Sequence, residues 1–394
     1  MISKINLLII VYLVSVFGLF LYSFTQVDLN LTLSQLSIWQ VLQKYFQNIG
    51  YFQRPLSTIL YVFIVLLLFL FYFFLLRVAR TVRIRKIWKL VLVTTVILTF
   101  SYNAFSYDLF NYIFDAKIVT FYNQNPYLHK ALDFSGDPML SFMHSTHRPY
   151  PYGPVWLGLT TPLSFLGFGF FLPTFFLFKA LIASSFVGTA YFIGKILRKI
   201  SPENEIFGII FFALNPLVLI EGLVSGHNDM VMVFFAVFGL YLLIRKNYIF
   251  SFLFLFLSIG IKFATVLLLP VFIYIAIKQF RNRSIDFRKV FVVTFILMSV
   301  AVFITSFASG VNKNPELQPW YFLMLFPFAA LVVHKRIIAF LTISISIAML
   351  SSYIPFLFAG EWPMDIVGLK NLLIIASIVI AVLLLIFFSK RLSS

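Results

Sequence analysis

The sequence predicts an all-α, polytopic integral membrane protein, on three observations. Of its 394 residues, 61% are hydrophobic and only 11% are charged, whereas ordinary soluble domains carry about 25% charged residues. Runs such as residues 61–74 and 372–388 contain no charged side chain, and a helix crosses a bilayer with about 20 mostly apolar residues. The basic residues lie in short stretches between such runs, as in a chain that crosses the membrane many times.

The first apolar stretch, residues 5–24, is predicted to be a transmembrane helix. A signal peptide is the alternative, but the stretch is longer than the apolar core of a signal peptide, and no A-x-A-like cleavage site follows it. The chain has no cysteine. The sequence therefore offers no disulfide and no thiolate metal ligand, and it does not indicate a redox compartment.

The same apolar pattern recurs to the end of the chain and predicts about 12 transmembrane helices in one transmembrane domain, residues 1–394. The predicted spans are residues 5–24, 56–76, 90–106, 176–195, 206–223, 229–244, 248–260, 263–279, 290–307, 320–334, 337–355 and 369–388.

The charges predict the orientation of these spans. With the N-terminus in the cytoplasm, 21 of the 30 Lys and Arg fall on the cytoplasmic side and 10 of the 13 Asp and Glu fall opposite. This distribution follows the positive-inside rule, so we expect a multi-pass plasma membrane protein with both termini cytoplasmic. The net charge of +17 then anchors the topology, and nucleic acid is not expected as a partner. The basic stretches are Lys4 and residues 77–89, 195–199, 245–246, 278–289, 335–336 and 390–391.

The longest predicted outer segment, residues 107–175, carries most of the unusual polar residues. Asp108 and Asp115 lie at helical spacing, which places both carboxylates on one face of a helix about two turns apart. We therefore expect an amphipathic helix at the membrane surface, which Asn125-Pro126 ends because proline lacks a backbone donor.

Residues 155–172 are also apolar and could form a thirteenth span. Such a span would reverse every later loop and place the basic stretches outside the cytoplasm. We therefore interpret these residues as an interfacial or re-entrant helix.

Polar residues from several segments are predicted to meet at the outer face, where ionisable groups in so apolar a chain indicate function. They are Asp108 and Asp115; His144, His147, Arg148, Tyr150 and Tyr152; His227, Asn228 and Asp229; Gln318, Trp320 and Tyr321; and Lys262.

These residue types suit glycosyl transfer from a lipid-phosphate donor. A carboxylate can take the proton of an acceptor hydroxyl. Arg148, Lys262 and His147 can hold a phosphate, arginine by its planar fork and lysine as a point charge. Tyrosine and tryptophan offer amphipathic walls for a sugar ring or an isoprenoid tail.

Each group also has a purely structural alternative. Asp108 could cap the helix that starts after Ser106-Tyr107, and His227 could be a hydrogen-bonded turn residue. Lys262 and Lys179 could extend their ammonium groups from helix ends towards water, which is the interpretation favoured for Lys179.

The aromatic and histidine pairs have alternatives as well. Trp320 and Tyr321 could belong to an interfacial aromatic belt. His144, His147 and Asp229 have the ligand types of a zinc site, although two histidines three residues apart are weak evidence for one. No cofactor is predicted with certainty, and a divalent metal ion stays open.

The motifs as a set resemble a known superfamily. SYDLFNYIFDAKIVTFYNQNPY, YPYGPVWLGL, LNPLVLIEGLVSGHNDMVMV, GIKFATVLLLP and QPWYFLML follow one another in an order similar to that of the GT-C integral-membrane glycosyltransferases. The likeness covers roughly residues 90–334 and is to the prokaryotic polyprenyl-phosphomannose-dependent mannosyltransferases. It implies an inverting enzyme that uses a polyprenyl-phosphate sugar at the extracytoplasmic face.

The resemblance also implies roles for individual residues and a division of the chain. Residues 1–89 would be a two-helix extension and residues 90–394 the GT-C-like core. The implied roles are Asp108 as base, Asp115 as the acid that orients the acceptor or Asp108, His227, Asn228 and Asp229 as a polar turn that contacts sugar or phosphate, and Lys262 as the partner of the donor phosphate.

The expected function is transfer of a hexose, with mannose the expected sugar, to a hydroxyl of an envelope glycolipid or glycan. Two departures leave the sugar and acceptor open: the acids are seven residues apart rather than adjacent, and residues 309–319 carry no large soluble domain. A transporter or flippase of a lipid-linked or polar solute is the main alternative, and an envelope scaffold is another. Transporters place polar groups near the midplane and often show repeats, neither of which we find.

Overall fold

The computed structural model describes residues 4–309, 316–362 and 365–390. Within these ranges the regular secondary structure is helical, apart from one isolated bridge between Lys130 and Pro149. Its α-helices are α1 Lys4–Ser23, α2 Ser37–Gln47, α3 Arg54–Arg77, α4 Ile84–Thr99, α5 Asp108–Thr120, α6 Pro154–Leu166, α7 Phe171–Ile200, α8 Glu205–Ala213, α9 Asp229–Ile244, α10 Tyr248–Ile259, α11 Leu269–Phe280, α12 Phe287–Ser309, α13 Phe326–Leu331, α14 Arg336–Ser351, α15 Ile354–Ala359 and α16 Ile366–Lys390.

Each of the twelve predicted spans has a helical counterpart, and the all-α polytopic class is confirmed. Within the described ranges, six helical segments are long and apolar enough to cross a membrane unaided, or seven if the bent pair Pro202–Ala213 and Val218–Val224 is one span. Two of the other counterparts are short: α9 has 16 residues and α10 has 12. At 1.5 Å per residue these reach about 24 Å or less, below the roughly 30 Å of the hydrocarbon core.

The first two long helices pack onto the rest of the chain through buried tyrosines. Tyr12 donates to the Leu214 carbonyl at 2.9 Å, and Tyr72 donates to the Phe211 carbonyl at 3.0 Å. Both carbonyls lie at the end of α8, where the last carbonyls of a helix have no donor within the helix. The tyrosine hydroxyls therefore satisfy carbonyls that the break in the helix leaves open.

Helix α2 buries polar side chains and exposes apolar ones, the opposite of an amphipathic helix in a soluble protein. Its Gln43 and Gln47 are buried and donate to carbonyls of the preceding loop, at 2.6 Å to Leu31. Its apolar residues point outwards, with Ile38 74% and Val41 69% exposed. An outward apolar face on a short helix suits the lipid surface, so α2 belongs at the membrane interface.

The outer segment folds over the helix that the acid spacing predicts. Helix α5 begins at Asp108 as expected, but it ends at Thr120, before the predicted stop, because the chain turns at Asn123 with a φ of 53°. Eight of its thirteen residues are buried, so α5 lies beneath the rest of the segment and does not present a free polar face to water.

Helix α6 covers the first part of residues 155–172. It has 13 residues, about 20 Å, which is too short to cross the membrane alone, and the remaining residues form a turn and the start of α7. Backbone bonds tie its entrance to the loop after α10: Gly153 donates to the Ile261 carbonyl and Val155 to the Gly260 carbonyl, both at 3.0 Å.

The bent pair ends in the turn that carries the polar residues. The π-helical segment Val218–Val224 leads to Gly226, whose φ of +76° a side chain would oppose. Lys179 of α7 is buried and donates to the Leu223 and Val224 carbonyls at the end of that segment. The expectation that Lys179 reaches towards water is therefore wrong, because the open carbonyls of the broken helix hold its ammonium group.

Candidate active site

The first turn of α5 places Asp108 at the opening of a polar site. The residue at the helix cap is Tyr107, which makes no side-chain cap bond, and the Asp108 backbone N–H donates to the Ser106 hydroxyl at 3.1 Å. The structure therefore contradicts the alternative that the Asp108 carboxylate caps this helix. Its side chain is 20% exposed, so the carboxylate reaches the surface of the site.

His227 lies directly behind Asp108 and between two acids. Its Nδ1 is 3.4 Å from Asp108 Oδ2, and its Nε2 is 3.3 Å from Glu221 Oε2. The side chains of His227 and Glu221 are fully buried. Tyr353 donates to the other Glu221 oxygen at 2.8 Å. These residues form a chain of partners that runs from the surface of the site into the protein.

The charges along this chain follow from its composition. Burial lowers the pKa of His227, but the carboxylates of Asp108 and Glu221 outweigh that effect and raise the pKa to about 9. Burial raises the pKa of Asp108, and the imidazolium with the charges of Lys262 and Arg148 reverses this, so that its pKa falls below the ordinary 3.8. At neutral pH, Asp108 is thus a carboxylate beside a histidine cation.

A second acid and base pair forms the wall next to Asp108. Lys262 Nζ donates to Asp229 Oδ2 at 2.6 Å and lies 5.5 Å from the centre of the Tyr152 ring. Asp229 is fully buried, whereas Lys262 is partly exposed. Asn228 accepts a bond of 3.3 Å from the Tyr112 hydroxyl, and the Tyr112 ring packs edge-on against Tyr152. Asp229 therefore holds the ammonium group of Lys262 at the site.

Asp115 and Arg148 line a small cavity with Asn111 and Tyr152. Burial raises the pKa of Asp115 to about 7, a shift that the Asp108 charge increases and Arg148 opposes. The two acids of α5 thus differ: the pKa of Asp108 lies below its ordinary value, whereas the pKa of Asp115 is raised to about 7. Arg148 is exposed, so its guanidinium can reach a ligand.

The histidines of the outer segment make other contacts than His227. His144 stacks on Tyr107 with ring centres 3.7 Å apart, and His147 is exposed. Among the described residues, no three His, Asp or Glu side chains come together that could hold a metal ion. The alternative of a zinc site from His144, His147 and Asp229 is therefore wrong, since Asp229 binds Lys262 instead.

The motif near the end of the chain divides between the site and its surroundings. Trp320 stacks on His227 with ring centres 4.7 Å apart and planes 14° apart, and Tyr321 packs edge-on against Trp320. Trp320 therefore covers the histidine and is not only a residue of an interfacial belt. Gln318 accepts a bond of 2.9 Å from Lys370 and lies outside this set of contacts.

Glu221 and Tyr353 contact the site although no role was predicted for them, and Tyr112 joins them from the polar face of the helix that the acid spacing predicts. Glu221 did carry a usable signal, because it is an acid within an apolar run, LVLIEGLV. Tyr353 could not be found in the same way, since the chain holds 19 tyrosines and this one lies outside the motifs.

The arrangement suits a displacement in which a carboxylate accepts a proton and cations stabilise an anionic leaving group. An ionised and partly exposed carboxylate lies beside two cations, Lys262 and Arg148, that can face a negatively charged leaving group. Tyr152 supplies an aromatic wall between these groups.

The comparisons with known proteins agree with this chemistry. Among protein-family models, that of the alpha-(1->6)-mannopyranosyltransferase N-terminal domain matches residues 13–278. This range is about two thirds of the chain and contains the acids of α5, the polar turn and Lys262. No curated protein and no solved structure matches the sequence.

Proposed function

Because the chain belongs to the alpha-(1->6)-mannopyranosyltransferase family and is a membrane mannosyltransferase, we propose that it takes mannose from a polyprenyl phosphate. The acceptor is a hydroxyl group of an envelope glycolipid or glycan, and the new bond is the α-(1→6) linkage of the family's name. The reaction takes place at the extracytoplasmic face, with both termini in the cytoplasm. The GT-C resemblance and the charge distribution support this arrangement.

The observation that carries the proposal is the position and the ionisation of the Asp108 carboxyl group. It is the exposed end of a buried acid–imidazolium–acid chain, and its carboxylate is ionised. A carboxylate in this position can accept the proton of an acceptor hydroxyl as the oxygen becomes a nucleophile. Asp115 lies two turns along the same helix, where its carboxyl group can orient the acceptor.

The proposed step is a single in-line displacement. The acceptor oxygen forms a bond to the anomeric carbon, its proton passes to Asp108, and the bond from that carbon to the phosphate oxygen breaks. The leaving polyprenyl phosphate keeps the electron pair, and Lys262 and Arg148 stabilise its charge. Displacement inverts the anomeric centre, so an α product requires a β-linked donor.

Two predicted binding residues act through neighbours in this proposal. His227 keeps Asp108 ionised and oriented, and Asp229 holds Lys262 towards the donor phosphate. Both side chains are fully buried, which favours positioning over contact with the sugar. Tyr152 and Trp320 form apolar walls near these pairs.

The test compares the wild type with Asp108→Asn in lipid, using tritiated polyprenyl-phosphate mannose and a crude envelope glycolipid fraction. We expect the wild type to transfer label and the variant to lose about 10²–10⁴ in rate, while donor binding is retained. A donor with the α-anomeric phosphate should be inert. Transfer that survives in Asp108→Asn would move the base elsewhere, and failure of the wild type to bind the donor would contradict the donor class.

A further inference from the structure

A large cavity lies at the other end of the helices, away from the candidate active site. Its volume is about 680 Å³, within the range of small-molecule sites. It is bounded by the end of α3, the turn before α8 and the start of α14. Helix α14 runs from this cavity at Arg336 for 16 residues, about 24 Å, before the chain reaches Tyr353 at the site.

Uncompensated positive charge surrounds this basic-face cavity. Arg77, Arg80 and Arg336 line it, and none of them forms an ion pair with another residue in the described part of the chain. The one acid in the lining, Glu203, is already bound by Arg288 at 3.3 Å and by the Ser201 hydroxyl at 2.6 Å. Three guanidinium groups around one space are typical of a phosphate site.

Apart from Asn204 and His334, the rest of the lining is apolar, and part of it is exposed at the surface of the protein. Phe73 is 44% exposed, and Phe207, Phe340 and Ile343 extend the same wall. A free inorganic anion would leave this wall without a partner. A phosphate ester with an alkyl chain would use both halves, its head among the arginines and its chain against the aromatic wall.

We propose that the basic-face cavity binds the phosphate head and first chain segment of an anionic lipid. This proposal does not depend on the transfer reaction, since the lining contains none of the residues assigned to it. Basic pockets between membrane helices commonly bind lipid headgroups on the cytoplasmic side, which is where the charge distribution places this cavity. Two lipids share the required chemistry, a phospholipid and a polyprenyl phosphate.

The test measures lipid binding to the purified chain in neutral detergent by native mass spectrometry. The probes are phosphatidylglycerol, polyprenyl phosphate, zwitterionic phosphatidylcholine and inorganic phosphate, and the variant is Arg77→Gln/Arg80→Gln/Arg336→Gln. We expect the wild type to retain at least one of the first two probes, and the variant to bind it about tenfold more weakly or worse. The stronger of the two identifies the lipid.

A control variant with the same loss of charge is Arg83→Gln/Arg85→Gln/Arg283→Gln, whose arginines are exposed and lie outside the cavity. It should bind the lipid as the wild type does. The single variant Arg336→Gln gives a second readout if the triple variant unfolds, which its melting temperature in phosphatidylcholine would show. Equal losses in the two triple variants, or displacement of the lipid by millimolar inorganic phosphate, would overturn the proposal.

Discussion

A histidine between two carboxylates can offer an N–H group to both of them only as a cation. Neutral imidazole has one N–H donor, whereas the imidazolium ion has two. His227 has an acid at each ring nitrogen, and its pKa of about 9 keeps it charged at neutral pH. The cation therefore lies between the buried Glu221 and the partly exposed Asp108, and loss of either acid should alter its contact with the other.

Substitution of Glu221 tests this link. In Glu221→Gln one of the two charges that hold the His227 proton is gone, so the pKa of His227 should fall and the cation should be lost at lower pH than in the wild type. We expect the rate at pH 7 to drop roughly tenfold, equivalent to about 1.4 kcal/mol. The alkaline fall of the pH–rate profile should move from about 9 towards neutral pH.

The matched control is Glu205→Gln, which removes an acid paired with Arg198, away from the polar turn. Its pH–rate profile should match the wild type. A Glu221→Gln profile with an unchanged alkaline limit would show that Glu221 does not act through His227.

The buried carboxyl group of Asp115 should lower the free energy of unfolding at alkaline pH. Because burial raises its pKa from 3.8 to about 7, the folded protein binds this proton more tightly than the unfolded chain, and the free energy of unfolding falls as pH rises from about 4 to about 7. Asp115→Asn is neutral throughout. Its melting temperature should exceed that of the wild type at pH 8 and equal it at pH 4, as thermal unfolding in detergent would show. The exposed acid Glu361, changed to Gln, should show no such difference between the two pH values.

Single residues of the site were predictable when their type is rare in an apolar chain. The structure brings Asp108, His227, Asp229 and Lys262 together from three separate motifs. The pairing itself was not predictable, because a turn sequence does not reveal which side chains it buries. His227 and Asp229 were expected to contact substrate, a role that stays a prediction, and the structure buries both against charged partners.

At the scale of elements, hydrophobic pattern gave the positions of the helices but not their breaks. Span 229–244 coincides with α9. Span 206–223 instead bends by 59°, and Asn215-Pro216 lies at the break. The burial of the polar face of α2 was not predicted, since its buried glutamines are recognised only once the carbonyls that they bind are known.

The entrance of α6 should depend on the absence of a side chain at residue 153. A Cβ on Gly153 would lie 2.1 Å from the Gly260 carbonyl oxygen, so the backbone next to Lys262 would have to move. We expect Gly153→Ala to lower the free energy of unfolding by about 1–3 kcal/mol and to raise the KM for the donor. Thermal unfolding and donor titration would measure the two effects.

Gly158→Ala is the matched control within the same helix. A Cβ there meets no atom within 4 Å, and alanine favours helix over glycine by up to about 1 kcal/mol, so the melting temperature should stay or rise. If both variants behaved alike, the close approach at Gly153 would not determine the position of Lys262.

Over the whole molecule, the two ends differ in charge and chemistry. The acids, the polar turn and the aromatic walls lie at one end, and the basic-face cavity lies at the other. The proposed orientation places the first end outside the cytoplasm, where a lipid-linked sugar is accessible. If the chain lay the other way round, the site would meet the cytoplasm, where nucleotide sugars are available.

The absence of cysteine allows a direct test of this orientation. Ser141 and Ser284 are exposed, the first in the outer segment and the second in the basic loop before α12, so each can carry a single thiol. We expect a membrane-impermeant maleimide to label Ser141→Cys in intact cells, and Ser284→Cys only after permeabilisation. The reverse pattern would place Asp108 in the cytoplasm. The donor would then be expected to be a soluble nucleotide sugar and not a polyprenyl phosphate, even if Asp108 remained the base.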